Sequence, residues 1–177
     1  MFKRTAALIL DAQKSTYEAI LMLQTIQYEE TEIVKKIEDY LLLAELWFDM
    51  NDSTNAETFV NKTAHFMHKT QDKELHMRYK RASIRVLDSK REFILAAQGY
   101  YALSFSEGID RDEITDILRL ALTCTLLAPA GPRKARLMAV LHNDIRIKSS
   151  QFYELLQKMF MGEVVKREHM TEFQASL

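Results

Sequence analysis

Turn-forming residues are scarce in this chain. Its 177 residues hold four glycines and two prolines, roughly a quarter of ordinary usage. Sheets and long loops need those residues at their corners, so a chain this poor in them is mostly helix. Phosphate-cradling glycine loops, dinucleotide-binding turns and β-barrels are excluded on the same ground. Hydrophobic residues make up 47% and charged residues 28%, enough apolar material to fold and too much for a disordered tail. The formal net charge of −1 argues against a protein held to nucleic acid by bulk charge. One cysteine, Cys124, permits no internal disulfide and suits a reducing compartment.

Helical periodicity runs through nearly the whole chain. Residues 3–14 read as a short apolar helix, whose charged start and six-residue run from Thr5 to Leu10 fall short of a secretion signal. No segment reaches the roughly eighteen apolar residues of a membrane helix, and the reading is of a soluble, intracellular chain. Ser15 with Glu18 forms a capping-box pattern opening a helix to Ile26, with Ile20, Leu21 and Leu23 inside it. Thr31 is expected to cap a long helix to about Met50, with an apolar set of Ile33, Val34, Ile37, Tyr40, Leu41, Ala44, Trp47 and Phe48. After a turn at 51–53, a partner helix to Lys69 carries Ala56, Phe59, Val60, Thr63, Ala64 and Met67 on one stripe.

Asp72 opens the next long helix, with Leu75, Tyr79, Ala82, Val86 and Leu87 facing inward. A break near Ser89 precedes a helix from Arg91 to Phe105, in which Ala96, Ala97 and Gly99 permit close helix contact. Asp112 is expected to cap a helix to Ala128, and the run Pro129 to Pro132 is the strongest breaker present. Helices then read from Arg133 to His142, from Ser149 to Met161, and from Arg167 onward. The long-helix starts at Thr31, Asp72 and Asp112 recur about every 40 residues, a two-helix repeat period. The expected fold is all-α: a right-handed superhelical solenoid of helix pairs resembling tetratricopeptide repeats, in which neighbours bury what a lone pair leaves open.

Catalytic and metal signatures are missing from the sequence. His65 and His68 share a helix face and His76 lies on the next helix, but two imidazoles without a third ligand make a poor site. They read as solvent-side or capping residues. Cys124 reads as packing, and paired acids such as Glu29 with Glu30 as helix-dipole partners. No cofactor, metal or small-molecule substrate is expected, and nothing points to an enzyme. Charge is nevertheless uneven. Residues 28–57 hold nine acids against two lysines, whereas 73–91 hold seven bases against two acids and 133–148 hold five against one. Within the first basic segment Arg78, Lys80, Arg81 and Arg85 form a candidate ridge for an acidic protein surface. Solvated faces with charge pairing between successive repeats are the plainer reading of the same residues. RNA fits less well, because Tyr79 and Tyr100 fall on inward stripes.

Particular residues go further. Arg85 and Asp88, then Arg91, Phe93, Ile94, Ala96, Ala97, Gln98, Tyr100, Leu103 and Ser104, resemble the helical-repeat region of PCI-domain subunits. The similarity is greatest to the family of COP9 signalosome subunit 4. Its most specific block runs from Ala121, Leu122, Cys124 and Thr125 through Ala128, Ala130 and Gly131 to Arg133, Arg136, Ala139, Leu141, Asp144 and Arg146. Leu156, Lys158, Met159, Glu172 and Phe173 extend it downstream; Tyr40, Leu41, Ala44, Leu46, Ala56, Glu57, Val60 and Asn61 extend it upstream. The likeness spans roughly residues 30–177, and Pro129 and Pro132 depart from the family pattern at the Ala–Gly turn.

The resemblance implies that residues 1–177 form the helical-repeat region of a PCI-type subunit, without the winged helix that follows in the family. It implies a non-catalytic scaffold of the complex that removes a ubiquitin-like modifier from cullins. The implied partners are the other signalosome subunits and cullin–RING ligases, with nucleic acid and membrane both unexpected. The implied location is nucleus and cytoplasm. The paralogous scaffold of the 26S proteasome lid, and an RNA-associated PCI module of a translation-initiation or mRNA-export complex, are the alternatives.

Overall fold

The computed structural model describes residues 16–26 and 32–175, all helix and connecting turn. The expected helix at 3–14 and the expected caps Ser15 and Thr31 lie outside the described residues. Two compact units divide the chain between Ser89 and Lys90.

The described part of the first unit contains α1 (Thr16–Gln24), α2 (Ile33–Asp49), α3 (Ser53–Met67) and α4 (Lys73–Ser89). Helix α2 packs most extensively on α3, α4 lies against both, and α1 lies against α2. The turn between α2 and α3 is built by polar residues. Asn51 takes a left-handed φ of 59°, a conformation its short amide side chain tolerates well. Asp52 then caps α3 by accepting a hydrogen bond from the backbone N–H of Asn55 at 3.0 Å.

Ile37, Leu41, Ala44, Ala56, Val60, Leu75, Ala82 and Val86 fill the core as the stripes require. Each fully buried leucine or isoleucine contributes about 1.5–3 kcal/mol. Three expected positions depart from the stripe: Leu21, Val34 and Ala64 face outward. On α2 the buried set is also wider than the stripe. Leu43 and Leu46 are buried as well, so this helix is covered on more than one face and a single 3.6-residue stripe understates what it packs against.

The second unit contains α5 (Phe93–Leu103), α6 (Arg111–Leu127), α7 (Pro132–Asn143), a 3-10 turn (Ile145–Ile147), α8 (Tyr153–Met161) and α9 (Arg167–Ala175). Helices α5 and α6 are its most extensively packed pair, and Ala96, Ala97 and Ala121 are wholly buried. Side chains this small let helix axes approach. Helix α7 lies against α6 and α5, and α8 against α7. The ring of Phe173 on α9 meets Phe152 edge-on at 5.1 Å.

The cap of α6 differs from expectation. Asp110 caps it, extended at φ −70° and ψ 155° and accepting from Arg111 N–H; Asp112 is already inside the first turn. The helix expected from Ser149 begins only at Tyr153, after the 3-10 turn.

The breaker segment acts as expected. Ala128 is extended, as a residue before proline must be, and Pro132 starts α7, where its missing N–H costs nothing. Helices α2, α4 and α6 begin at 33, 73 and 111, close to the expected 40-residue period.

Candidate partner-binding surface

The four residues of the basic ridge lie on α4 in different settings. Arg78 donates through Nε and Nη2 to the two carboxylate oxygens of Glu45 on α2, at 3.2 and 2.8 Å. Arg85 lays its guanidinium over the ring of Phe48, 4.6 Å from the centroid, with Asp49 at 3.7 Å. Arg81 is half-buried and Lys80 exposed. The structure therefore joins Arg78 and Arg85 to the acidic helix α2, in line with charge pairing between successive repeats. It leaves Lys80 exposed to solvent. Arg85 also borders an open cleft of about 350 Å3, lined by Phe48, Asn51, Ser53, Asp88 and Ser89.

A second basic group lies along the α2–α3 edge. Here Tyr40 stands 6.0 Å from Phe59 and 6.4 Å from Phe66, rings tilted. Lys36 places its ammonium 4.5 Å from the Phe66 centroid and 5.8 Å from that of Tyr40. Lys62 lies 4.6 Å from Phe59 and Lys69 5.9 Å from Phe66. Burial pushes the Tyr40 phenol up, so it stays uncharged. Sequence reasoning missed this array. Its signal is the spacing of Lys36 with Tyr40 at i, i+4 and of Phe59 with Lys62 and Phe66 with Lys69 at i, i+3; the first two pairs share a helix face, and Lys69 lies just past the end of α3.

Two cations, Lys134 buried and Arg146 about a third exposed, organise the second unit. Lys134, in the first turn of α7, donates to the carbonyls of Leu126 and Ala128, both at 2.8 Å. These are carbonyls that the end of α6 would otherwise leave without a partner. Burial pulls the lysine below its ordinary pKa.

Arg146 grips Asp144 through Nε and Nη2, donates to the Ser104 carbonyl at 3.1 Å, and stacks on Phe105 at 4.2 Å. Its side-chain hydrogen bond holds the Asp144 carboxyl below the ordinary range. The guanidinium is held up by the same bond. Asp144 and Arg146 thereby tie the end of α5 to the 3-10 turn, a contact two residues this close in sequence do not advertise.

Cys124 is buried at 2% exposure, as packing requires. His65 and His68 are exposed, and His76 contacts the Asp72 carbonyl through Nδ1 at 2.8 Å. Among the described residues no group of three or more His, Cys, Asp or Glu could hold a metal ion. Among the same residues no helix is long and apolar enough to cross a membrane.

Residues 2–112 match the family described as PSMD12/CSN4, N-terminal. The match begins well before residue 30, so the likeness reaches into the leading segment that the quoted motifs leave out. COP9 signalosome complex subunit 4 of Drosophila melanogaster is 39% identical over 142 residues, covering 80% of this chain and 35% of the relative. The Arabidopsis thaliana subunit 4 is 34% identical over 149 residues, covering 80% and 38% respectively. That of Emericella nidulans is 32% identical over 138 residues, covering 78% and 34%. The chain thus spans about a third of the length of these relatives. With more than half of its residues inside the family match, the chain belongs to the PSMD12/CSN4 family, in the N-terminal region of that family.

Proposed function

We propose that this chain is a non-catalytic scaffold arm of the COP9 signalosome, binding neighbouring subunits and cullin–RING ligases in nucleus and cytoplasm. The observation that carries this reading is the 32–39% identity to signalosome subunit 4 chains over about four-fifths of the sequence. Its helices stack as a right-handed solenoid of tetratricopeptide-like pairs. Such a fold offers a long surface whose exposed side chains read a partner, and stacking neighbours cover the apolar ends.

The α4 face bearing Arg78, Lys80, Arg81 and Arg85 is the contact for an acidic partner surface. Arg78 and Arg85 pair with α2 while Lys80 presents its charge outward, and Arg85, about half exposed, borders the same face. The family description joins the signalosome subunit with its PSMD12 counterpart, so the proteasome-lid scaffold is the second reading.

Co-expression with the remaining signalosome subunits tests the proposal. The chain should co-purify with them, and a Lys80→Glu, Arg85→Glu variant should bind at least fivefold more weakly with unchanged far-ultraviolet circular dichroism. Full affinity in the reversed variant would remove the α4 face from the proposal; failure to co-purify at all would remove the signalosome.

A further inference from the structure

On α4 the arginines at 78 and 85 find acids on α2. Along the α2–α3 edge the situation is the opposite. Lys36, Lys62 and Lys69 lie over aromatic rings, and among the described residues none of the three forms an ion pair with a carboxylate. A ring face attracts an ammonium through its quadrupole but carries no net charge. The rings therefore hold three like charges in place without neutralising them. The one acid of α3 is Glu57, which contacts Asn61, and Glu32, one turn before Lys36, pairs with Lys35.

We propose that the Lys36, Lys62 and Lys69 array over Tyr40, Phe59 and Phe66 is a docking surface for an extended acidic peptide segment of a partner protein. The charge fits that occupant. Lys62, on α3, and Lys69, just past its end at Met67, each lean back over the phenylalanine three residues earlier. Alternate carboxylates of an extended segment share one face, about 7 Å apart, and meet these ammoniums with the opposite sign. Lys36, from the neighbouring helix, takes a further carboxylate beside Phe66. Packing on the rings pre-orders the three flexible side chains and lowers the entropy lost on binding. A nucleic-acid strand fits poorly, because Phe59 is 7% exposed and lysines cover the ring faces on which a base would stack.

The test uses the full chain and a short fluorescein-labelled peptide with glutamate at every second position, followed by anisotropy. Binding should saturate, weaken as salt rises, and fall at least fivefold in the Lys36→Gln, Lys62→Gln, Lys69→Gln variant. A charge-matched variant, Lys73→Gln, Lys148→Gln, Lys166→Gln, should retain the parent affinity. Amide shifts of the unmutated chain on titration should centre on residues 36 and 59–69, a readout independent of how the variants fold. Three results would overturn the proposal: no saturable binding, equal loss in the charge-matched variant, or tighter binding of oligouridylate than of peptide through the same lysines.

Discussion

The guanidinium of Arg78 holds both carboxylate oxygens of Glu45, 33 residues earlier, with Nε at 3.2 Å and Nη2 at 2.8 Å. Two-pronged geometry of this kind is the strong form of an ion pair. It links the first and third helices of the α2, α3, α4 group, which share no turn. Both side chains remain partly exposed, at 30% and 40%, so solvent screens the pair. In a double-mutant cycle with Arg78→Met and Glu45→Gln we expect a coupling of about 0.5–1 kcal/mol, at least halved in molar salt. Coupling indistinguishable from zero in low salt would show that the contact positions nothing.

Lys134 makes a different kind of link. Its ammonium satisfies the carbonyls of Leu126 and Ala128 at the end of α6, and removing it leaves both without that donor. The Lys134→Met variant should lose about 1–2 kcal/mol in urea denaturation, with an unchanged m-value. A neutral or stabilising result would show that water replaces the lysine without cost.

Asp144 contributes to the pH dependence of the second unit. Its carboxyl titrates below the ordinary range because of the side-chain hydrogen bond from Arg146, reinforced by the Arg146 backbone N–H. The sign follows from linkage. A folded-state pKa below the unfolded value of about 3.9 gives stability that is complete above that value. The stability is lost as pH falls through the folded value. Asp144→Asn should cost about 1–2 kcal/mol at pH 7, and its stability should converge with that of the parent toward pH 3. Parallel curves from pH 3 to pH 7 would contradict the assignment.

Gly162 ends α8 in the left-handed region at φ 73°, with no atom within 4 Å of where a Cβ would stand. Space is available, so an alanine there meets only backbone strain. Gly162→Ala should destabilise by about 1 kcal/mol. A gain in stability would mean that the reduced entropy of the unfolded chain outweighs the strain.

Much of the fold is legible from residues alone where the signal is local. The helix starts near 33, 73 and 111, the break at 129–132 and, Ala64 apart, the buried stripe of α3 all follow from periodicity and turn chemistry. Caps were harder. Asp110, Asp112 and Glu113 all favour the start of α6 through the helix dipole, and only the backbone angles single out Asp110. Long-range partners were invisible. Spacing placed four cations on one segment of α4, but nothing in it shows that Glu45 and Asp49 stand opposite two of them. The lysine–aromatic array fell between the two cases: each pair is local, while its assembly into one group needs the α2–α3 packing.

The most direct measurement is affinity capture of this chain from its own cells, with mass spectrometry of what accompanies it. Recovery of the other signalosome subunits together with cullins is the expected result. Recovery of proteasome-lid subunits, or of translation-initiation factors with RNA, in their place would contradict the assignment to the signalosome.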